Sequence, residues 1–157
     1  IYNAEMQRKH APSHYLFSYE FFSELFSNLA QNIQLICAEI NGQIVSGGIF
    51  LSDNSYAAHY YLMATLPDFF KYQTNSLILY EAMLYFKKKG VYIFDFQGGR
   101  EGVYKFKKSF SNTEAPFYMS KKIHCREIYD CLVNYCHQYY GKPSQKFFPE
   151  YRIKDTN

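Results

Sequence analysis

The chain has no tryptophan and almost no excess of charge of either sign. Seventeen Lys and Arg residues against 14 Asp and Glu residues leave a net charge of +3 over 157 residues. So weak a balance does not by itself indicate nucleic-acid binding, which calls for clustered basic charge. No segment approaches the ~18 consecutive apolar residues that a membrane-spanning helix needs. We therefore expect a protein without a transmembrane segment.

Cysteine is scarce, and its spacing matches no metal or redox motif. The four cysteines lie at positions 37, 125, 131 and 136, which fits neither paired zinc knuckles nor a C-x-x-C pair. We interpret them as free thiols in a reducing cytoplasm. Cys37 lies in an apolar, strand-like run and is expected to be a small buried thiol.

Several catalytic and binding motifs are also missing. No G-x-S-x-G segment is present, which disfavours a serine hydrolase. The glycines match neither a P-loop nor a dinucleotide-binding fingerprint. Of the five histidines, His10 and His14 are four positions apart, but they flank Pro12 in a predicted loop and so do not form a helical metal site. No metal site is predicted.

The sequence contains enough apolar residues to form one hydrophobic core. Apolar residues make up 48% of the chain, and 17 tyrosines and 15 phenylalanines supply much of that share. We expect the tyrosines to place their rings in the core and their hydroxyls at its edge. The length fits one domain, predicted over residues 1–140, followed by a polar tail over 141–157.

The clearest local prediction is a three-stranded antiparallel meander. Two β-rich runs, 34–40 and 43–51, flank Asn41-Gly42, and this dipeptide is a strong hairpin signal because both turn positions need positive φ. A third strand is expected over 56–64. Gly47-Gly48 inside the second strand indicates either a bulge or a close approach of another segment.

Helices and further strands are predicted on both sides of the meander. Helices are expected over 3–10 and 18–30, then a helix from Asn75 or Ser76 to Lys89, ended by Gly90. A strand over 91–96, buried on both faces, a short helix over 103–110, a strand over 117–124 and a helix over 127–139 follow. This order predicts a mixed α/β (α+β) protein built on one sheet.

The best candidate site lies where the strand over 91–96 ends. Asp95 lies inside that strand, where a carboxylate is either a structural hydrogen-bond acceptor or a base with an altered pKa. Gly98 and Gly99 follow and leave bare backbone N–H groups that suit an anion or a developing oxyanion. The neighbouring basic residues are Arg100, Lys105 and Lys107. The alternative is a tight turn followed by a solvated basic helix.

Taken in order, the motifs resemble a known family. Asn75-Ser76-Leu77-Ile78-Leu79 with Gly90 resembles its central helix, and Phe94-Asp95-Phe96-Gln97-Gly98-Gly99 its glycine-rich strand end. Phe106-Lys107-x2-Phe110 resembles its Phe-Lys signature, and Phe148-Pro149-x-Tyr151-Arg152 its C-terminal ending. The chain resembles the acyltransferase domain of the FemAB family of peptidoglycan-bridge aminoacyltransferases, which are related to the GNAT N-acetyltransferases.

The resemblance implies a GNAT-like fold and a transfer reaction. An activated donor, either aminoacyl-tRNA or acyl-CoA, would pass its acyl group to an amine, and a lipid-linked cell-wall precursor is the family's acceptor. The protein is then expected in the cytoplasm, at the inner face of the membrane. No tightly bound cofactor is expected. Residues 65–74, which match the loop on which GNAT enzymes hold the CoA pyrophosphate, contain no glycine, which counts against tight CoA binding in the usual mode.

The resemblance also implies roles for individual residues. Lys107 would bind the donor's anionic part or stabilise the developing oxyanion, and Asp95 would accept a proton or position the amine. The predicted donor-binding residues are Gly98, Gly99, Arg100 and Lys105.

The known bridge-forming enzymes carry two such domains, and this chain resembles the second. A second GNAT-like domain elsewhere is therefore a predicted partner, and two alternatives stay open: an acyl-CoA-dependent N-acyltransferase acting on a small or sugar amine, and a non-catalytic domain that binds RNA, a nucleotide or a protein.

Overall fold

A computed structural model of the chain describes residues 1–141 and 148–152. The chain forms two compact units, Ile1–Asn112 and Thr113–Asn157. The single domain predicted over 1–140 stays a prediction, because compact units need not fold independently. Most of the predicted tail, residues 142–147 and 153–157, lies outside the described residues.

The first unit is built on a four-stranded mixed sheet in the order β1-β2-β3-β4. The strands are β1 (Ile33–Ile40), β2 (Gln43–Ser52), β3 (Ala57–Thr65) and β4 (Ile93–Asp95). The first three pair antiparallel, whereas β4 pairs parallel to β3. Asn41 and Gly42 both have positive φ, 51° and 79°, as the hairpin turn requires. The predicted meander and mixed α/β class are confirmed.

Four helices accompany the sheet in this unit: α1 (Tyr2–Arg8), α2 (Tyr19–Asn28), α3 (Thr74–Lys88) and α4 (Glu101–Lys108). Short 3-10 helices cover Ser13–Tyr15 and Pro67–Tyr72. The Ser18 hydroxyl caps α2 by accepting the Phe21 N–H at 3.2 Å. Gly90 follows α3 with a φ of 80°, which a residue with a Cβ adopts only at a cost. Helix α4 begins two residues before its predicted start at 103.

The core lies between α3 and the sheet. Its six buried members come from β2, β3 and α3: Phe50, Ala58, Ile78, Leu79, Ala82 and Phe86. The close-approach alternative holds for Gly48, since a Cβ built there would lie 2.8 Å from Ile78 Cγ2. The ladder irregularities fall elsewhere, at Ala38/Glu39 and at Ile49/Phe50. Gly48 is therefore a packing residue that lets α3 lie close to β2.

Replacing Gly48 by alanine is expected to lower the free energy of unfolding by about 1–3 kcal/mol, because the added methyl group overfills a packed contact. Gly47→Ala is the matched control: its Cβ would lie 3.7 Å from Cys37 Sγ, an ordinary contact. That variant should be neutral or slightly stabilised, since alanine restricts the unfolded chain. Urea denaturation of both variants measures the difference, and equal stabilities would contradict the packing role of Gly48.

Strand β4 differs from its prediction. It has three residues rather than six and, within the described part of the chain, pairs only with β3. The prediction that it is buried on both faces is wrong, because Ile93 is 40% exposed. A short run of apolar residues does not distinguish a central strand from an edge strand that packs on one side only.

The predicted strand over 117–124 is also wrong. Residues 113–124 belong to no helix or strand, and Phe117, Tyr118 and Met119 are largely exposed. The residue pattern favoured an extended backbone, but a strand also needs a partner for its N–H and C=O groups. No ladder partner is recorded for this segment among the described residues.

The second unit contains helix α5 (Arg126–Tyr140), where the sequence predicted a closing helix over 127–139. The buried side chains of α5 are Tyr129 and Val133. The Tyr129 hydroxyl accepts the Glu150 N–H at 2.9 Å, and its ring stacks on Phe148. The described end of the chain therefore folds back onto α5.

Two expectations about burial are wrong. Cys37 is exposed, because β1 is the edge strand opposite β4. Many tyrosines are surface residues rather than core residues, among them Tyr19 and Tyr92, which are 82% and 81% exposed. All four cysteines are free thiols, as predicted.

Candidate active site

The candidate site lies where β3 and β4 part. The two strands pair in parallel at Ala57↔Ile93, Ala58↔Phe94 and His59↔Asp95. Beyond that last pair β3 continues to Thr65, whereas β4 ends. The chain turns away at Gln97, which has a positive φ of 60°. The separation of two parallel strands leaves room for a ligand beside β3.

An open pocket of about 550 Å³ occupies this place. Residues of β2, β3, the turn after β4 and α4 line it: Leu51, His59, Tyr60, Tyr61, Gln97, Gly98 and Lys107. A small-molecule site typically has this volume, with a mainly apolar wall and a few polar groups. None of these residues except Gly98 and Lys107 was among the candidates found from sequence.

Lys107 is the buried cation of the pocket. The residue is only 6% exposed, because Phe106 of α4 and Phe110 just after it pack against the core and Lys107 lies between them in the chain. Its Nζ donates a hydrogen bond to the Gly98 carbonyl at 2.7 Å and lies 4.3 Å from the centre of the Tyr60 ring. No carboxylate in the described part of the chain forms an ion pair with it.

The electrostatics of Lys107 and Tyr60 follow from burial. Burial lowers the pKa of the Lys107 ammonium, and the negative charge of Asp95 opposes part of that shift. Burial raises the pKa of Tyr60 to about 12, so its hydroxyl stays protonated at neutral pH. A buried ammonium without a paired anion favours the binding of an anionic group.

Asp95 joins two residues at the end of β4. Its Oδ1 accepts the backbone N–H of Gln97 at 2.7 Å. Its Oδ2 lies 3.2 Å from His59 Nδ1 and 3.3 Å from Gln97 Nε2. The side chain accepts these hydrogen bonds but is not buried, since it is 45% exposed. Whether it takes part in catalysis stays a prediction.

The other predicted donor-binding residues lie outside the pocket lining. A Cβ on Gly99 would lie 2.9 Å from Val103 Cγ1, so this glycine allows the turn to pack against α4. Arg100 is the N-cap residue of α4 and is exposed. Lys105 is exposed and pairs with Glu101 at 2.7 Å. The structure therefore brings Gly98, Lys107 and Asp95 together, and a role of Gly99, Arg100 and Lys105 in donor binding stays a prediction.

Sequence reasoning missed His59 as a site residue. It lies within the third predicted strand, over 56–64, and no motif around it indicates a catalytic role. Asp95 is 36 residues away in the chain, and the register of the parallel β3–β4 pair places it directly beside His59. The sequence does show a histidine in one predicted strand and an aspartate at the end of a later one. It does not show the register that places the two residues side by side.

The loop between β3 and α3 is held by a buried hydrogen-bond cluster. The Ser46 and Thr65 hydroxyls lie 2.7 Å apart, and Thr65 donates to Asn75 Oδ1 at 2.6 Å. Thr74 Oγ1 lies 3.3 Å from Thr65 Oγ1. These bonds fix the first turn of α3 to the ends of β2 and β3 without any glycine in the loop.

Residues 1–108 match the model of a protein family described as "Acetyltransferase (GNAT) domain". The chain belongs to this family of acyltransferases. No curated protein matches the chain. No helix in the described part is long and apolar enough to cross a membrane, and residues 1–141 and 148–152 contain no group of three His, Cys, Asp or Glu side chains placed to hold a metal ion.

Solved structures show the same fold. The ribosomal-protein-S18-alanine N-acetyltransferase from Escherichia coli is 17% identical, with a TM-score of 0.55, over 73% of this chain and 70% of that one. AAC(6′)-Iy in complex with the bisubstrate analogue CoA-S-monomethyl-acetylneamine is 11% identical, with a TM-score of 0.56, over 76% and 87%. The aminoglycoside 6′-N-acetyltransferase AAC(6′)-IG from Acinetobacter haemolyticus is 15% identical, with a TM-score of 0.52, over 78% and 90%. At these identities the likeness concerns the fold.

Proposed function

We propose that the chain is an N-acyltransferase that passes an acyl or aminoacyl group from an activated donor to a primary amine in the pocket between β3 and β4. The observation that carries this proposal is Lys107, a buried ammonium in the pocket wall without a paired anion. Transfer to an amine passes through a tetrahedral intermediate whose oxygen becomes negative. An ammonium held in a partly desolvated wall stabilises that oxygen more strongly than one in water.

The contacts of Lys107 leave it free to act on a substrate. An ammonium has three N–H donors, and one of them is used by the Gly98 carbonyl. That bond and the Tyr60 ring hold Nζ in place, so little reorganisation is needed when the oxyanion forms. The protonated Tyr60 hydroxyl is a second donor in the same wall.

Two donors fit this chemistry. The first is acyl-CoA: a protein of the same fold is AAC(6′)-Iy, whose structure holds a CoA bisubstrate analogue. The second is aminoacyl-tRNA, which the resemblance to FemAB enzymes supports. Both present an activated carbonyl carbon, as a thioester or as an ester, so both use the same oxyanion stabilisation. Neither donor is a tightly bound cofactor in this proposal.

The charge of the lining favours an acceptor that is not a polycation. None of the pocket residues is Asp or Glu, and the buried charge is that of Lys107. Asp95 beside the pocket is already bonded to Gln97 and His59. An amine that also carries a carboxylate, such as a lysine-containing peptide of a lipid-linked cell-wall precursor, suits this lining better than an aminoglycoside. Such an acceptor would place the enzyme at the inner face of the membrane, with a second GNAT-like domain as a partner.

The experiment is incubation of the purified chain with acetyl-CoA or aminoacyl-tRNA and three acceptors: a lysine-containing peptide, its amidated form and an aminoglycoside. Mass spectrometry of the products identifies both donor and acceptor. We expect transfer to the peptide and lower kcat/KM with the amidated form. An aminoglycoside acylated as well as the peptide would overturn the acceptor assignment. Salt-sensitive binding of tRNA or another ligand with no turnover for any pair would instead support a non-catalytic binding domain.

A further inference from the structure

We infer that His59 is the base that takes the proton from the acceptor's ammonium group, and that Asp95 positions it. This inference rests on the proposed function and names a residue that performs one of its steps. The attacking amine must be neutral, yet most primary amines are protonated at neutral pH. A base that meets the acceptor in the pocket is therefore required.

The position of His59 suits that role. Its side chain is 40% exposed and forms part of the pocket wall. Asp95 Oδ2 lies 3.2 Å from Nδ1, and a carboxylate at Nδ1 favours the tautomer with the hydrogen on that nitrogen. The other ring nitrogen, Nε2, then carries the lone pair. Among the described residues it has no recorded hydrogen-bond partner, so it is available to a substrate.

Gln97 introduces a competition at the same ring nitrogen. Gln97 Nε2 lies 3.1 Å from His59 Nδ1, and an amide NH₂ only donates. Nδ1 therefore either accepts from Gln97 or donates its own hydrogen to Asp95. In the imidazolium both ring nitrogens carry hydrogen, so only the bond to Asp95 persists. Asp95 therefore remains the hydrogen-bond partner of Nδ1 when Nε2 has taken a proton from the acceptor.

Other groups in the pocket are less suited to be the base. Lys107 Nζ donates to the Gly98 carbonyl, and its proposed role needs the charged form. The Tyr60 hydroxyl is protonated at neutral pH, since burial raises its pKa to about 12. Both Asp95 oxygens already accept hydrogen bonds from Gln97 or face His59.

The proton balance of the reaction is as follows. The acceptor ammonium gives one proton to His59 Nε2, and the neutral nitrogen attacks the donor carbonyl carbon. A C–N bond forms, and the C–S or C–O bond to the leaving group breaks. The nitrogen loses a second proton, which goes to the leaving sulfur or oxygen. The imidazolium releases the first proton to water, which restores His59.

The first test is kinetic. His59→Gln is expected to lower kcat by about 10²–10⁴-fold with little change in KM for the donor. With a fluorinated amine acceptor, which is already neutral at the assay pH, the same variant should show a much smaller fall in kcat. His124→Gln, in the second unit, is the matched control. Wild-type kcat in folded His59→Gln, or an equal loss with both acceptors, would overturn the role of His59 as base.

The second test concerns Asp95 and needs no turnover. ¹⁵N NMR of labelled histidine reports which ring nitrogen carries the hydrogen, and the His59→Gln spectrum assigns the His59 signals. We expect the Nδ1–H tautomer of His59 in the wild type and a shift towards Nε2–H in Asp95→Asn. An unchanged tautomer in Asp95→Asn would overturn the positioning role of Asp95. Absence of any acyl transfer by the wild type would overturn the proposed function and the base assignment with it.

Discussion

Replacing Lys107 by methionine should lower kcat for acyl transfer by about 10²–10³-fold, the cost of removing one oxyanion donor. Methionine keeps most of the side chain's length and apolar stem but removes the ammonium that donates to Gly98. Steady-state kinetics with the best donor and acceptor measure the effect. The matched control is Lys108→Met on the same helix, because Lys108 is exposed and does not line the pocket.

Although Lys107→Met should lower the activity, we do not expect it to lower the thermal stability. Burial lowers the pKa of Lys107 in the folded state, so its protonation favours the unfolded state. That destabilisation is fully present below the lowered pKa and is relieved as the pH rises towards the unfolded-state value. The methionine variant should therefore have an equal or higher Tm than the wild type at neutral pH, with a smaller difference at alkaline pH. Loss of both activity and Tm would contradict the oxyanion role, because it would mark Lys107 as a structural residue.

Truncation of Phe50 should have the largest effect on stability. Phe50 is fully buried, and its ring packs against Phe86 of α3 and Phe94 of β4. Phe50→Ala is expected to lower the free energy of unfolding by about 3–5 kcal/mol, the usual cost of deleting a buried ring. Chemical denaturation followed by circular dichroism measures the loss.

A control variant and a measurement of donor binding distinguish the role of Phe50 from that of an ordinary surface residue. Leu77→Ala on α3 removes a side chain that is 54% exposed and should cost well under half as much. Because Phe50 also contacts the Tyr60 ring, a variant that still folds should bind the donor more weakly than the wild type. A loss below about 1 kcal/mol would show that the β2–α3 contact is not the centre of the core.

Aromatic packing connects stability to the site. Phe94 packs on Phe50 and Phe96, and Phe96 packs on Phe110 just after α4. Through this chain of rings the core sets the position of β4 and of the helix that carries Lys107. The same framework places the Gly98 carbonyl where it accepts the hydrogen bond from Lys107 Nζ, and the turn before it is held by Asp95, which accepts the Gln97 N–H.

The sequence by itself determined the local elements of this protein. Asn41-Gly42 specifies a turn with two positive φ angles, and Gly90 ends α3, because each feature depends on neighbouring residues only. Lys107 could be selected from the Phe-Lys pattern, and Asp95 and Gly98 from a strand that ends in glycine. The order of these motifs also indicated the relation to the GNAT family.

The partners of these elements, and the residues that they bring together, depend on the tertiary structure. Strand β4 lies at the edge of the described sheet, and residues 117–124 have no ladder partner among the described residues. A strand pattern in the sequence does not identify the partner of the strand. The pairing of His59 with Asp95 depends on the register of two parallel strands joined by α3, and a shift by one residue would turn the side chain to the other face. Register is set by packing of the whole sheet on α3, which no local pattern contains. The pocket, its buried ammonium and its candidate base therefore come together only in the folded chain.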